Sequence, residues 1–111
     1  MVPAKQDIKI MRGDTEVINV TVTNANGTPV NLTGDTFASQ IRYERDAATI
    51  AASFVCVVSN AAGGVVTLTL SPAVSAALNA GLAYWDLQRT SGGVVSTIVS
   101  GKCTVLADVT R

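Results

Sequence analysis

Apolar and polar side chains alternate along most of the chain, and turn-forming residues interrupt the alternation at short intervals. Ile8 and Ile10 alternate with polar neighbours up to Arg12-Gly13-Asp14. From Glu16 to Thr23, Ile18, Val20 and Val22 fall on one face and mostly polar groups on the other, the period of two expected of a half-buried strand. Asn24-Ala25-Asn26-Gly27-Thr28-Pro29 predicts a turn, because Asn-Gly tolerates positive φ and Pro29 cannot donate to a ladder. Val30-Asn31-Leu32 predicts a short strand ended by Thr33-Gly34-Asp35. Thr36 to Arg45 sets Phe37, Ser39, Ile41 and Tyr43 against Gln40, Arg42 and Glu44.

Ile50 to Ser59 departs from this pattern. Phe54, Cys56 and Val58 lie on one face and Val55 and Val57 on the other, so both faces call for a cover. Asn60-Ala61-Ala62-Gly63-Gly64 turns this strand into Val65 to Leu70. Ser71-Pro72 followed by an Ala-rich run to Leu78 is the one helical signal, with Ser71 as N-cap and Pro72 in the first turn. A hairpin from Leu82 to Ser100 turns at Ser91-Gly92-Gly93, and Lys102 to Val109 closes the chain. All nine glycines are expected at or beside turns. This pattern predicts an all-β fold: an antiparallel, immunoglobulin-like β-sandwich of about eight short strands with one short helix, in a single domain over residues 1–111.

Composition narrows the chemistry. Val, Ile and Thr together supply 35 of 111 residues, as expected of pleated sheet. The net charge is zero, so no broad electrostatic footprint for nucleic acid or an anionic membrane is expected. Histidine is absent, which removes the usual general base near neutral pH and every Ser-His-Asp or Cys-His arrangement. With two cysteines and no C-x-x-C, neither a zinc site nor any other metal or cofactor is expected. The expectation is a non-enzymatic protein. The start of the chain shows no signal-peptide pattern and no run approaches the ~18 apolar residues of a membrane span, so synthesis in a cytoplasm is expected.

Cys56 and Cys103 can be read as an inter-sheet disulfide or as two buried free thiols; free thiols are expected, because Trp85 and Gly101 do not fit the immunoglobulin spacing. Arg12-Gly13-Asp14 matches an integrin-binding tripeptide, but turn chemistry accounts for it. Asn19, Asn26 and Asn31 begin N-x-[ST] triplets, which thirteen threonines make by chance. Asp35, Glu44, Asp46 and Asp86 read as solvated loop charges, and Trp85 as a core anchor, or Tyr84 if the register is opposite.

From Ala47 to Trp85, 39 residues pass without a charged side chain, whereas about a quarter of a soluble domain is normally charged. A neutral surface of Ala, Val, Ser and Thr invites association. Ala51, Ser53, Val55, Val57, Ala61, Ala62 and Val65 are therefore the candidate interaction residues. Part of the second cover is expected from the helix, and the rest from copies of the chain or a neighbouring protein.

The order of signals resembles a known group. Ile10-Met11-Arg12-Gly13-Asp14-Thr15 leads into an alternating strand, followed by Gly27-Thr28-Pro29-Val30-Asn31-Leu32-Thr33-Gly34 and by Phe37 to Arg42. Val66-Thr67-Leu68-Thr69-Leu70-Ser71 then leads into the helix, and Ala80-Gly81-Leu82-Ala83-Tyr84-Trp85-Asp86-Leu87-Gln88 follows it. Over nearly its whole length the chain resembles small β-sandwich proteins of tailed phages and prophages, among them upper-baseplate N-terminal domains and tail-fibre collar or connector proteins. The long uncharged middle and the Ala-rich helix depart from that pattern. The resemblance implies a virion structural protein: an adaptor that docks on the tail or baseplate and holds a fibre, with other virion proteins and copies of itself as partners. A capsid decoration protein and a free-standing carbohydrate- or protein-binding module are the alternatives.

Overall fold

The computed structural model describes residues 4–24, 26–46 and 48–107. Residues 1–3, Ala25 of the expected turn, Ala47 at the head of the uncharged run, and residues 108–111, including the end of the expected last strand, lie outside the described residues. The chain forms β1 (Ala4–Lys5), β2 (Ile8–Met11), β3 (Glu16–Thr21), β4 (Thr36–Arg42), β5 (Ala52–Asn60), β6 (Val65–Leu70), helix α1 (Pro72–Ala76), β7 (Gly81–Ser91) and β8 (Val94–Leu106).

These strands follow one path, β1-β8-β7-β4-β5-β6-β3, with β2 continuing along β8 beyond β1. Strand β5 joins two layers. Its first three residues pair with β4, whereas Val55–Asn60 pair with β6. One layer is therefore β8-β7-β4 and the other β5-β6-β3, the strand order of an immunoglobulin-type sandwich. The path curls like a barrel left unclosed, with β3 at one end and the β1–β2 edge at the other.

The wholly antiparallel expectation is corrected here, because β1 and β2 run parallel to β8. After β1 and β2 the chain crosses to the other layer at residues 12–15, and it comes back beside them only in β8. The whole domain is thus the long crossover that parallel pairing requires. Since β1 and β2 lie along one edge, the described residues follow seven strand paths.

The core takes the inward residues of both layers, among them Ile10, Ile41, Val66, Leu68, Leu70 and Leu87, all 1% exposed or less. Each such side chain contributes ~1.5–3 kcal/mol of burial. Trp85 is the aromatic anchor, 3% exposed and edge-on to Phe54 with ring centroids 6.3 Å apart. Its neighbour Tyr84 points outward.

Two expected elements differ. Val30-Asn31-Leu32 is not a regular strand; only an isolated bridge joins Thr23 to Pro29. Leu32 is still buried, with its N–H on the Ala61 carbonyl, but Asn31 accepts from both the amide and the hydroxyl of Thr33, and this local turn competes with a ladder. The two expected strands after Gly93 are one, β8, and Gly101 lies inside it opposite Trp85 rather than at a turn. A Cβ at Gly101 would overlap the Gln6 carbonyl. Gly101 thus serves close approach of the first strand, not chain reversal.

The helix begins as its sequence signals, with Ser71 Oγ accepting from the Val74 N–H and Pro72 in the first turn. It does not cover the outer face of β5. Ser75, fully buried, instead accepts from the Gly13 N–H and donates to the Asp14 carbonyl, while Arg12 Nη2 donates to the Ala76 carbonyl. The Arg12-Gly13-Asp14 segment is therefore a turn docked on α1, with Gly13 at φ 84°.

Candidate interaction surface

The outer face of β5-β6-β3 carries no charge. Alternation buries Val66, Leu68 and Leu70 and turns Val65, Thr67 and Thr69 outward. In register with them lie Val55 and Val57 on β5, and Val17, Asn19 and Thr21 on β3. Val55, Thr69 and Val17 form one row across the three strands, and Val57, Thr67 and Asn19 the next. Val55, Val57 and Val17 are more than half exposed. Thr67 Oγ1 reaches Asn19 Oδ1 and Ser59 Oγ, so the polar part of the face is knitted by neutral hydrogen bonds.

Of the residues expected at this surface, Val55, Val57 and Val65 share the face, Ser53 is exposed on the stretch of β5 that pairs with β4, and Ala62 is exposed at the β5–β6 turn. Ala51 and Ala61 are corrected: both pack against the core. Ala61 also accepts from the N–H groups of Leu32 and Gly64, which holds it inward. Strand β3 was missing from that expectation. Its signal was Val17, the apolar residue on the otherwise polar side of the Glu16–Thr23 alternation.

The opposite layer is polar. A shallow cleft of about 200 Å³ on β4-β7-β8 is lined by Gln40, Arg42, Arg45, Tyr84, Asp86 and Ser100, among others. Arg42 donates to Gln40, and the Arg45 guanidinium lies 4.8 Å from the Tyr84 ring centroid. Partial burial pushes the Asp86 carboxyl above its ordinary value, against the pull of Arg42. Asp35 forms an ion pair with Arg89 at 2.6 Å. Hydrogen bonds from Ser91 and Arg89 hold its carboxyl below the ordinary range. Asp35 and Asp86 are therefore engaged groups of the β4–β7 layer rather than solvated loop charges.

Cys56 and Cys103 are both free thiols. Burial pushes both upward, Cys103 to about 11 with Glu16 adding to the shift. Among the described residues, no three His, Cys, Asp or Glu side chains converge on a metal-sized site, and no helix is long and apolar enough to cross a membrane.

The sequence matches no known protein family and no curated protein. Among solved structures, it is similar to the N-terminal domain of phage TP901-1 ORF48, at 18% identity over 97% of this chain and 91% of that one, with a TM-score of 0.53. It is also similar to the Lin-41 filamin domain, at 16% identity over 88% and 82% of the two chains, with a TM-score of 0.49. At this identity the likeness to the phage domain is one of fold alone.

Proposed function

We propose that this chain is a non-enzymatic structural protein of a tailed-phage or prophage virion, an adaptor that docks on the tail or baseplate and holds a fibre or a neighbouring tail protein. The observation that carries the reading is the neutral outer face of β5-β6-β3, with Val17, Val55 and Val57 exposed. A neutral face flanked by small hydroxyl side chains suits permanent contact with another protein, where few charges need be desolvated. The likeness in fold to a phage domain supports the same setting. The neighbour would cover the β5 side of the face, and the protein would reside in the particle after synthesis in the host cytoplasm.

A second reading, a carbohydrate- or protein-binding module, is favoured by the polar cleft around Arg45, Tyr84 and Asp86. Mass spectrometry of purified particles from the producing cell separates the two. The adaptor reading expects the chain at fixed stoichiometry with tail proteins. Its absence from particles, with the chain recovered on a glycan or protein ligand, would establish the second reading instead.

A further inference from the structure

The barrel-like path of strands stays open between β3 and the β1–β2 edge, and the opening is an apolar groove of about 350 Å³. Ile18, Asn19, Val20 and Thr21 of β3 form one wall, Gln6 and Ile8 the other, and Trp85 and Val99 also line it. Just beyond β3, the Val22 N–H donates to the Gly64 carbonyl, in the register that pairs Thr21 with Val65. Backbone groups alternate in direction along an antiparallel strand. Those of Val17, Asn19 and Thr21 therefore point away from β6, and no described strand takes them.

Natural sheets defend such edges with charge, proline or a bulge. The other edge is defended: Lys5, Asp7 and Lys9 lie along it, and it is broken between β1 and β2. Strand β3 is not. Its six residues pair with β6 without a register shift, its one charge is Glu16 at the start, and Val17 to Thr21 contain neither charge nor proline. What fits beside β3 is an extended strand, neutral and apolar at alternate positions, so that its backbone meets the free edge and its inward side chains enter the groove. Of the two edges formed by the described strands, only β3 answers that description, and a chain of zero net charge does not repel its own copy.

We propose that β3 pairs antiparallel with β3 of a second copy about a two-fold axis at Asn19. In this register Asn19 faces the partner's Asn19 and Val17 faces the partner's Thr21, so every free backbone group from Val17 to Thr21 is used. Ile18 lies opposite the partner's Val20, and these inward side chains fill both grooves. The interface is isologous and yields a six-stranded layer whose outer face is neutral throughout. The proposal deepens the adaptor reading, on which it rests, by naming the chain's own copy as the partner at this edge.

The test is sedimentation of the purified chain across a concentration series. Wild type should form a dimer. Asn19→Pro deletes an amide that points to the free edge and spares the β3–β6 ladder; it should raise the dimer Kd about tenfold or more. Asn19→Ala loses the side-chain bond to Thr67 but keeps the amide, and should still dimerise. If Asn19→Pro does not fold, Val20→Lys tests the same edge with an inward-pointing charge and should give a monomer. Oxidised Asn19→Cys should cross-link as a dimer and Val17→Cys should not, because four positions separate the two copies of Val17. A monomeric wild type, or a dimer unaffected by Asn19→Pro and Val20→Lys, overturns the proposal. Val55→Lys lies away from the edge and should leave the dimer intact; its exclusion from particles reports on the adaptor reading separately.

Discussion

The indole N–H of Trp85 donates to the carbonyl of Gln6 at 2.8 Å, across a strand that carries only Gly101 at that point. This bond fastens the first strand to β8: Gln6 N–H bonds the Ser100 carbonyl, and Asp7 Oδ1 accepts from the Lys102 N–H on either side of it. By committing the first strand to β8, the contact leaves β3 unpaired on its outer side. Trp85→Phe should keep the ring in the core but orphan the Gln6 carbonyl, costing about 1–3 kcal/mol. Gly101→Ala should cost a similar amount, ~1–3 kcal/mol, because its Cβ needs the space of the Gln6 backbone. Urea titration measures both, and hydrogen exchange should show faster opening of Ile8 and Ile10 in each variant.

Much of this arrangement was legible in the alternation. The inward faces of β3, β4 and β6 follow the period of two directly, and Ser71-Pro72 marks the helix start. The choice of β8 over β3 by the first strand was not legible, since it depends on Gly101 and Gln6, 95 positions apart and without a local signature. A glycine between two strand-like runs reads equally as a turn or as a close approach. At the surface, Val55 and Val57 were visible as apolar residues on a second face. The inward placement of Ala51 and Ala61 was not legible, because small residues fit core and surface equally and only their neighbours decide.

The two engaged carboxylates should tilt the pH dependence of stability in opposite directions. The Asp35 carboxyl titrates below its ordinary value, so the stability it contributes is present above about pH 4 and is lost as pH falls through its folded-state value. The Asp86 carboxyl titrates above its ordinary value, so folding favours its protonated form and stability rises as pH falls through that value. In urea midpoints measured from about pH 7 down to about pH 2, Asp35→Asn should weaken the acid-side loss. Asp86→Asn should remove the opposing gain. An unchanged profile in both variants would contradict these assignments.

Both thiols should be slow to react in the folded protein. Burial raises Cys103 to about 11 and also raises Cys56, so little thiolate exists near pH 8. A colorimetric thiol reagent should find little reactivity under native conditions, less at Cys103 than at the half-buried Cys56. It should find two thiols per chain after denaturation without reductant. No thiols after denaturation would mean a disulfide joins the two layers.

The neutral face of β5-β6-β3 is the centre of the functional account, and a single introduced charge tests it. Val57 is 56% exposed in the middle of that face, so Val57→Lys should fold with a urea midpoint close to wild type while placing a cation where the neighbour would exclude water. Asp46→Lys changes charge in an exposed loop beside the other layer. The decisive measurement is the copy number of each variant in purified particles when it replaces the wild-type chain. The account predicts that folded Val57→Lys is lost from particles and that Asp46→Lys is retained at the wild-type level. Incorporation of Val57→Lys at the wild-type level would show that this face contacts nothing in the particle, and would contradict the account.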